Sequence, residues 1–162
     1  MKKVLLTALF ICMGLTLFAS PYIGVSQGLG ATSVELGFMT SSFEENIFVG
    51  IPSLMAMDSY NSDFYKTVVV GTDLIYRFRP IGPLVIGFGP TFRAAWETGN
   101  AFSLMAGVAY QLSLETPDVM DILYVEGAYI PDFMQYESGT VTNDFLDKAA
   151  KQIFRLGWRH AF

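Results

Sequence analysis

The sequence is poor in the residues on which most enzymes and small secreted scaffolds depend. Its 162 residues include one cysteine, Cys12, and one histidine, His160. A lone cysteine excludes an intrachain disulfide framework and a cysteine-built metal site. Charge is scarce as well: 15% of the residues are charged, against about 25% in a soluble domain. Acids outnumber bases by 15 to 10, which leaves no basic face for phosphates, so no nucleic-acid partner is expected. Disorder is excluded, because 15% of the chain is aromatic and disordered chains lack such residues. Beyond the first twenty residues there is no apolar run of about 18, so no membrane-spanning helix is predicted there.

The start of the chain is different. Lys2 and Lys3 precede an uncharged apolar run from Val4 to Ala19, the pattern of a secretory signal peptide. We take residues 1–20 as a cleavable signal and 21–162 as one domain, with an uncleaved anchor as the competing reading. Cys12 lies within the signal, so the exported chain carries no thiol, and no cofactor is expected.

The remaining chain alternates. From Ala101 to Glu115, Phe102, Leu104, Ala106, Val108, Tyr110, Leu112 and Leu114 share one parity, and small or polar residues take the other. This is the period of a strand with two unlike faces. The pattern recurs over Ser33–Met39, Val68–Arg79, Pro83–Arg93 and Phe154–Phe162, and more weakly over Tyr22–Leu29, Asn46–Met55 and Met120–Ile130. Eight strands are predicted.

Periodicity alone does not say which face points inward. An eight-stranded barrel encloses little space, so bulky rings would overfill it, whereas glycines and a few charges fit. The bulky face then points outward, which only lipid tolerates. In lipid the backbone groups must be paired, so the strands must close. The expected fold is all-β: an eight-stranded antiparallel transmembrane β-barrel. A soluble lipocalin-like barrel with the faces exchanged is the alternative.

The connections fit this layout. Short turns are expected on the periplasmic side at Thr40–Glu45, Arg79–Pro83 and Glu115–Asp121, and external loops at Gly30–Thr32, Ala56–Asp63, Trp96–Asn100 and Phe133–Lys151. In the last loop, Asn143–Lys151 starts with Asn and runs from acid to base, as a short capped helix does.

The ending Leu156-Gly157-Trp158-Arg159-His160-Ala161-Phe162 resembles the terminal strand of bacterial outer-membrane barrels. In those families alternating aromatic or apolar residues lead to a final Phe read by the barrel-assembly machinery. Phe154, Leu156, Trp158 and Phe162 fit this signal and His160 departs from it. The whole layout resembles the small barrels of the outer-membrane protein X and surface-antigen type. The resemblance implies a bacterial outer-membrane location, with membrane lipid and the assembly machinery as partners.

On this register Glu35, Asp73, Arg77, Arg93, Glu115, Glu126, Arg155 and Arg159 face the lumen. Buried charges are costly unless paired, and arginine pairs carboxylates well. The set is read as a structural ion-pair network. A proton or small-ion path, or an acid–base carboxylate pair, is the rival reading. His160 lies on the lipid face at the periplasmic end, away from the leaflet where enzymes resembling lipid A acyltransferases and deacylases act, and no serine is matched to a base. No enzymatic activity is expected.

Pro52, Pro90 and Pro131 fall in or near strands on their outer halves. Each removes a ladder donor. They mark bulges or, on the alternative reading, a lateral gap for an acyl chain. Tyr22, Phe43, Phe64, Tyr65, Tyr76, Phe78, Trp96, Phe133, Trp158 and Phe162 are expected to form interfacial girdles. The expected function is structural or adhesion-like, through external loops that meet a surface ligand. A lipid-modifying enzyme, a narrow channel and the soluble binder are the competing classes.

Overall fold

A computed structural model describes residues 19–28, 31–52, 67–97, 101–115, 120–139 and 154–162. The expected signal segment up to residue 18, the whole Ala56–Asp63 loop with Phe64 and Tyr65, and the expected helix Asn143–Lys151 lie outside these residues.

The strands are β1 (Ser20–Gly28), β2 (Ala31–Met39), β3 (Phe43–Pro52), β4 (Thr67–Ile81), β5 (Leu84–Glu97), β6 (Ala101–Leu114), β7 (Asp121–Tyr129), β8 (Gln135–Gly139) and β9 (Phe154–Ala161). Neighbours in sequence pair antiparallel from β1 to β7, β7 pairs with β9, and β9 returns to β1. The ring is closed through the β7–β9 and β9–β1 pairings, so hydrocarbon meets no open sheet edge at that level. β7 and β8 both pair with β6 and form one stave, broken by a 3-10 turn at Asp132–Met134. The barrel therefore has eight staves.

The faces are unlike. Outward residues are large and apolar: Val34, Leu36, Ile47, Val49, Phe92, Val108, Leu112 and Leu156 are all exposed. Inward residues include Glu35, Asp73, Arg93, Glu126, Arg155 and Arg159, none more than 2% exposed. This polarity is the reverse of a soluble barrel's and overturns the lipocalin-like alternative. Water would face a continuous apolar belt; acyl chains face it without penalty.

The interior is more aromatic than the overfilling argument implies. Tyr22, Phe48 and Tyr124 point inward, so Tyr22 is a lumen residue and not part of a girdle. Each lies against a glycine on the adjacent strand, its direct register partner: Gly37 for Tyr22, Gly71 for Phe48 and Gly157 for Tyr124. A Cβ on any of these glycines would collide with the ring. Glycine thus supplies the volume that the rings occupy.

Two boundaries also move. β3 begins at Phe43, so Glu44 and Glu45 belong to a strand and only residues 40–42 make the turn. Pro90 sits midway along the 14-residue β5 instead of in its outer half. The expected Arg79–Pro83 turn narrows to Gly82 and Pro83, because β4 runs to Ile81 and β5 starts at Leu84; Gly82 has φ 52°, a left-handed conformation that glycine adopts at little cost.

Candidate functional site

The candidate site is the lumen. Strand parity aims its side chains inward, and register brings charges from distant segments together. Arg155 donates to Asp73 at 2.5 Å and to Glu126 at 2.8 Å, and lies 3.3 Å from Glu35. Arg159 meets Glu35 at 2.9 Å and Glu44 at 2.5 Å. Arg77 lies 3.4 Å from Glu44 and donates to Glu115. Arg79, at the rim, reaches Glu115 at 3.2 Å. At the other end Arg93 lies 3.6 Å from Glu126.

These contacts form one alternating chain. It runs Arg93, Glu126, Arg155, Glu35, Arg159, Glu44, Arg77, Glu115 and Arg79, with Asp73 as a branch on Arg155. Each glutamate is shared by two arginines, which spreads charge through a low-dielectric interior better than isolated pairs would. Aromatic faces complete the packing. The Arg159 guanidinium lies 3.8 Å from the centroid of Tyr124, and that of Arg155 lies 4.3 Å from Phe48. Tyr124 also donates its hydroxyl to Glu35.

The arginines have the same partner type as the rings. Register sets Arg159 opposite Gly24, Arg155 opposite Gly28, Arg93 opposite Gly71 and Arg77 opposite Gly87. Towards the external ends of the strands the ionic chain gives way to an apolar cluster of Phe48, Val69, Ala95, Met105 and Ile130. The ionic chain and this apolar cluster occupy successive levels of the lumen and meet where Arg155 rests on Phe48.

All eight charged residues expected in the lumen lie there, Glu115 at its partly open rim. Glu44 was missed. It is 3% exposed and joins Arg77 to Arg159. Extending the alternation of the third segment back by two residues would have found it, but the acidic pair Glu44-Glu45 reads locally as a polar turn. Gln111, which donates to Glu44 at 3.3 Å, and Asn46, 3.4 Å from Asp73, complete the lining. His160 stands outside, 2.8 Å from Asp121 and flanked by Trp158 and Phe162. Phe154, Leu156, Trp158 and Phe162 are exposed along the outer face of the closing strand or at its end.

No protein-family model and no curated protein matches the chain. Among solved structures it is similar to the N-terminal β-barrel domain of Pseudomonas aeruginosa OprF, at 13% identity over 89% of this chain and 96% of that one, TM-score 0.48. It is also similar to a major outer membrane protein from Thermus thermophilus, at 10% identity over 89% of this chain and 99% of that one, TM-score 0.37. The membrane assignment rests on the faces of this barrel itself. A closed, even-numbered antiparallel barrel with an apolar exterior is the bacterial outer-membrane form, and the chain is an integral outer-membrane β-barrel.

Proposed function

We propose that the barrel is a surface-interaction element, adhesion-like, that acts through its external rim and carries out no chemistry of its own. The observation that carries this reading is an uneven rim. β6 has 14 residues, but β7 pairs with only the seven from Val108 to Leu114. About 9–11 residues cross the bilayer in a tilted strand. β6 continues past the end of its β7 pairing to pair Ala101–Met105 with β8. The result is a wall on one side that displays Trp96, Phe102 and Tyr136, the last two rings 6.2 Å apart.

β8 adds a recognition surface. Among the described residues no strand pairs with its edge away from β6. Such an edge accepts a strand from a partner, and exposed rings beside it supply specificity. The filled lumen supports a structural role for the ion-pair chain rather than solute passage. Insertion by the assembly machinery through Phe154, Leu156, Trp158 and Phe162 belongs to the same proposal.

The test is adherence of bacteria that display the wild-type barrel, a Phe102→Ser/Tyr136→Ser variant, or neither, on protein-coated surfaces. The wild type should adhere above the control and the variant should fall to it. Equal adherence by all three would reject the reading. Membrane-lipid mass spectra that differ between cells with and without the protein would favour an enzyme instead.

A further inference from the structure

Among the described residues, the outer face of the strands near the 40–42 turn has one carboxylate with no counter-charge. β3 turns Glu45 outward, in register between Phe38 of β2 and Leu74 of β4, two positions from Phe43. The side chain is half-buried, and no cation among the described residues pairs with it. The other outward carboxylate near this end, Asp121, has His160. A lone carboxylate within an apolar belt is unfavourable unless something cationic meets it.

Beside Glu45 the outer wall is hollow. A cavity of about 420 Å³ is framed by Phe38, Phe43, Leu74, Tyr76, Phe88 and Pro90. Tyr76 stands edge-on between Phe43 and Phe88, with centroids at 5.4 and 6.0 Å. Behind it the β4–β5 ladder lapses between Asp73/Thr91 and Tyr76/Phe88, although the register is unchanged on both sides. Pro90 brings no N–H to this gap. The Leu74 carbonyl lies so close to Gly89 that a Cβ there would collide with it. The β5–β6 ladder continues through Pro90 and Val108, so the wall is dented without being opened.

A carboxylate and aromatic rings, beside an apolar hollow, have the chemistry to receive an ammonium group attached to a hydrocarbon chain. The 40–42 turn lies next to this surface, which sets it at the short-turn, periplasmic end. We propose that the hollow binds a phospholipid of the periplasmic leaflet that has a primary-ammonium head group. The ammonium meets Glu45, and an acyl chain lies along Leu74, Phe88 and Pro90. This site is independent of what the external rim binds.

The test is native mass spectrometry of the full-length barrel in detergent, offered equal amounts of phosphatidylethanolamine, phosphatidylglycerol and phosphatidylcholine. Retention of phosphatidylethanolamine should exceed that of phosphatidylglycerol by roughly tenfold. Phosphatidylcholine, which has no N–H to donate, should fall between them. Glu45→Gln should level the three and Glu45→Asp should keep the order. A wild-type barrel with no head-group preference would overturn the proposal, as would a preference unchanged in folded Glu45→Gln. Should Glu45→Gln fail to show the heat-dependent gel shift of a closed barrel, Tyr76→Leu decides: a reduced preference supports the site and an unchanged one overturns it.

Discussion

Removing Arg155 should destabilise the barrel more than removing any other lumen charge. Its guanidinium faces Asp73, Glu126 and Glu35 and rests on Phe48. Arg155→Met keeps much of the volume and the contact with Phe48 but leaves three carboxylates around an empty charge position. Glu35 retains Arg159 and Glu126 retains Arg93, the latter at 3.6 Å. Asp73 loses its contact with Arg155 and keeps the attraction of Arg93 and an amide contact with Asn46 at 3.4 Å. Breaking one buried pair costs about 3–5 kcal/mol, so the single variant should lose at least that range. Restoring balance should recover part of it: Arg155→Met/Asp73→Leu removes the carboxylate that Arg155 holds most closely. Urea unfolding in lipid vesicles, followed by the heat-dependent gel shift, measures both. A single variant within about 0.5 kcal/mol of wild type, the usual effect of a neutral surface substitution, would refute the claim that the ionic chain holds the lumen together. A double variant less stable than the single would refute the charge-balance part.

The remaining predictions address the packing, the outer belt and the pore. Gly157→Val should destabilise the barrel by about 1–3 kcal/mol through overpacking against Tyr124, and adding Tyr124→Ser should recover part of the loss in the same unfolding assay. Val108→Arg, on the outer face where β5, β6 and β7 pair, should cost about 2–4 kcal/mol, against about 0–1 for Ile81→Arg at the turn. Equal costs would contradict the assigned belt. In planar bilayers the purified barrel should give no steady conductance, because the ionic chain and the Phe48–Ile130 cluster fill successive levels of the lumen. Reproducible open steps would revive the channel reading.

Parity was legible in the sequence because it is local. Phe102 to Leu114 needs no knowledge of other strands to show two faces, and glycine-rich spacing was enough to decide which face is crowded. Pairing was not legible. That Arg155 meets Asp73, 82 positions away, follows from the stagger accumulated around a closed ring, and no single segment encodes it. The same limit explains Tyr22. Its parity with Gly24 and Ser26 points it inward, yet an aromatic at a strand end reads as a girdle residue until Gly37 is seen opposite it. Glu44 and Glu45 show how a boundary error hides chemistry: placed in a turn they are two equivalent acids, whereas in a strand one belongs to the lumen and the other to the lipid face.

That division by parity also bears on where function resides. A solute path needs polar groups that exchange partners with water, but here each bridging glutamate is held between two arginines, and Arg93, Arg155 and Arg159 lie over aromatic rings. Loosening one contact leaves charge on its neighbours, so the chain resists opening piecemeal. The two interactions proposed above both lie at its borders: the β5–β6–β8 wall on the outside, and the Glu45 hollow in the periplasmic belt. The two are separable by experiment. Phe102→Ser/Tyr136→Ser should leave head-group selection intact, and Glu45→Gln should leave adherence intact. Loss of both properties in either variant would mean that the barrel's integrity, and not a local surface, had been measured.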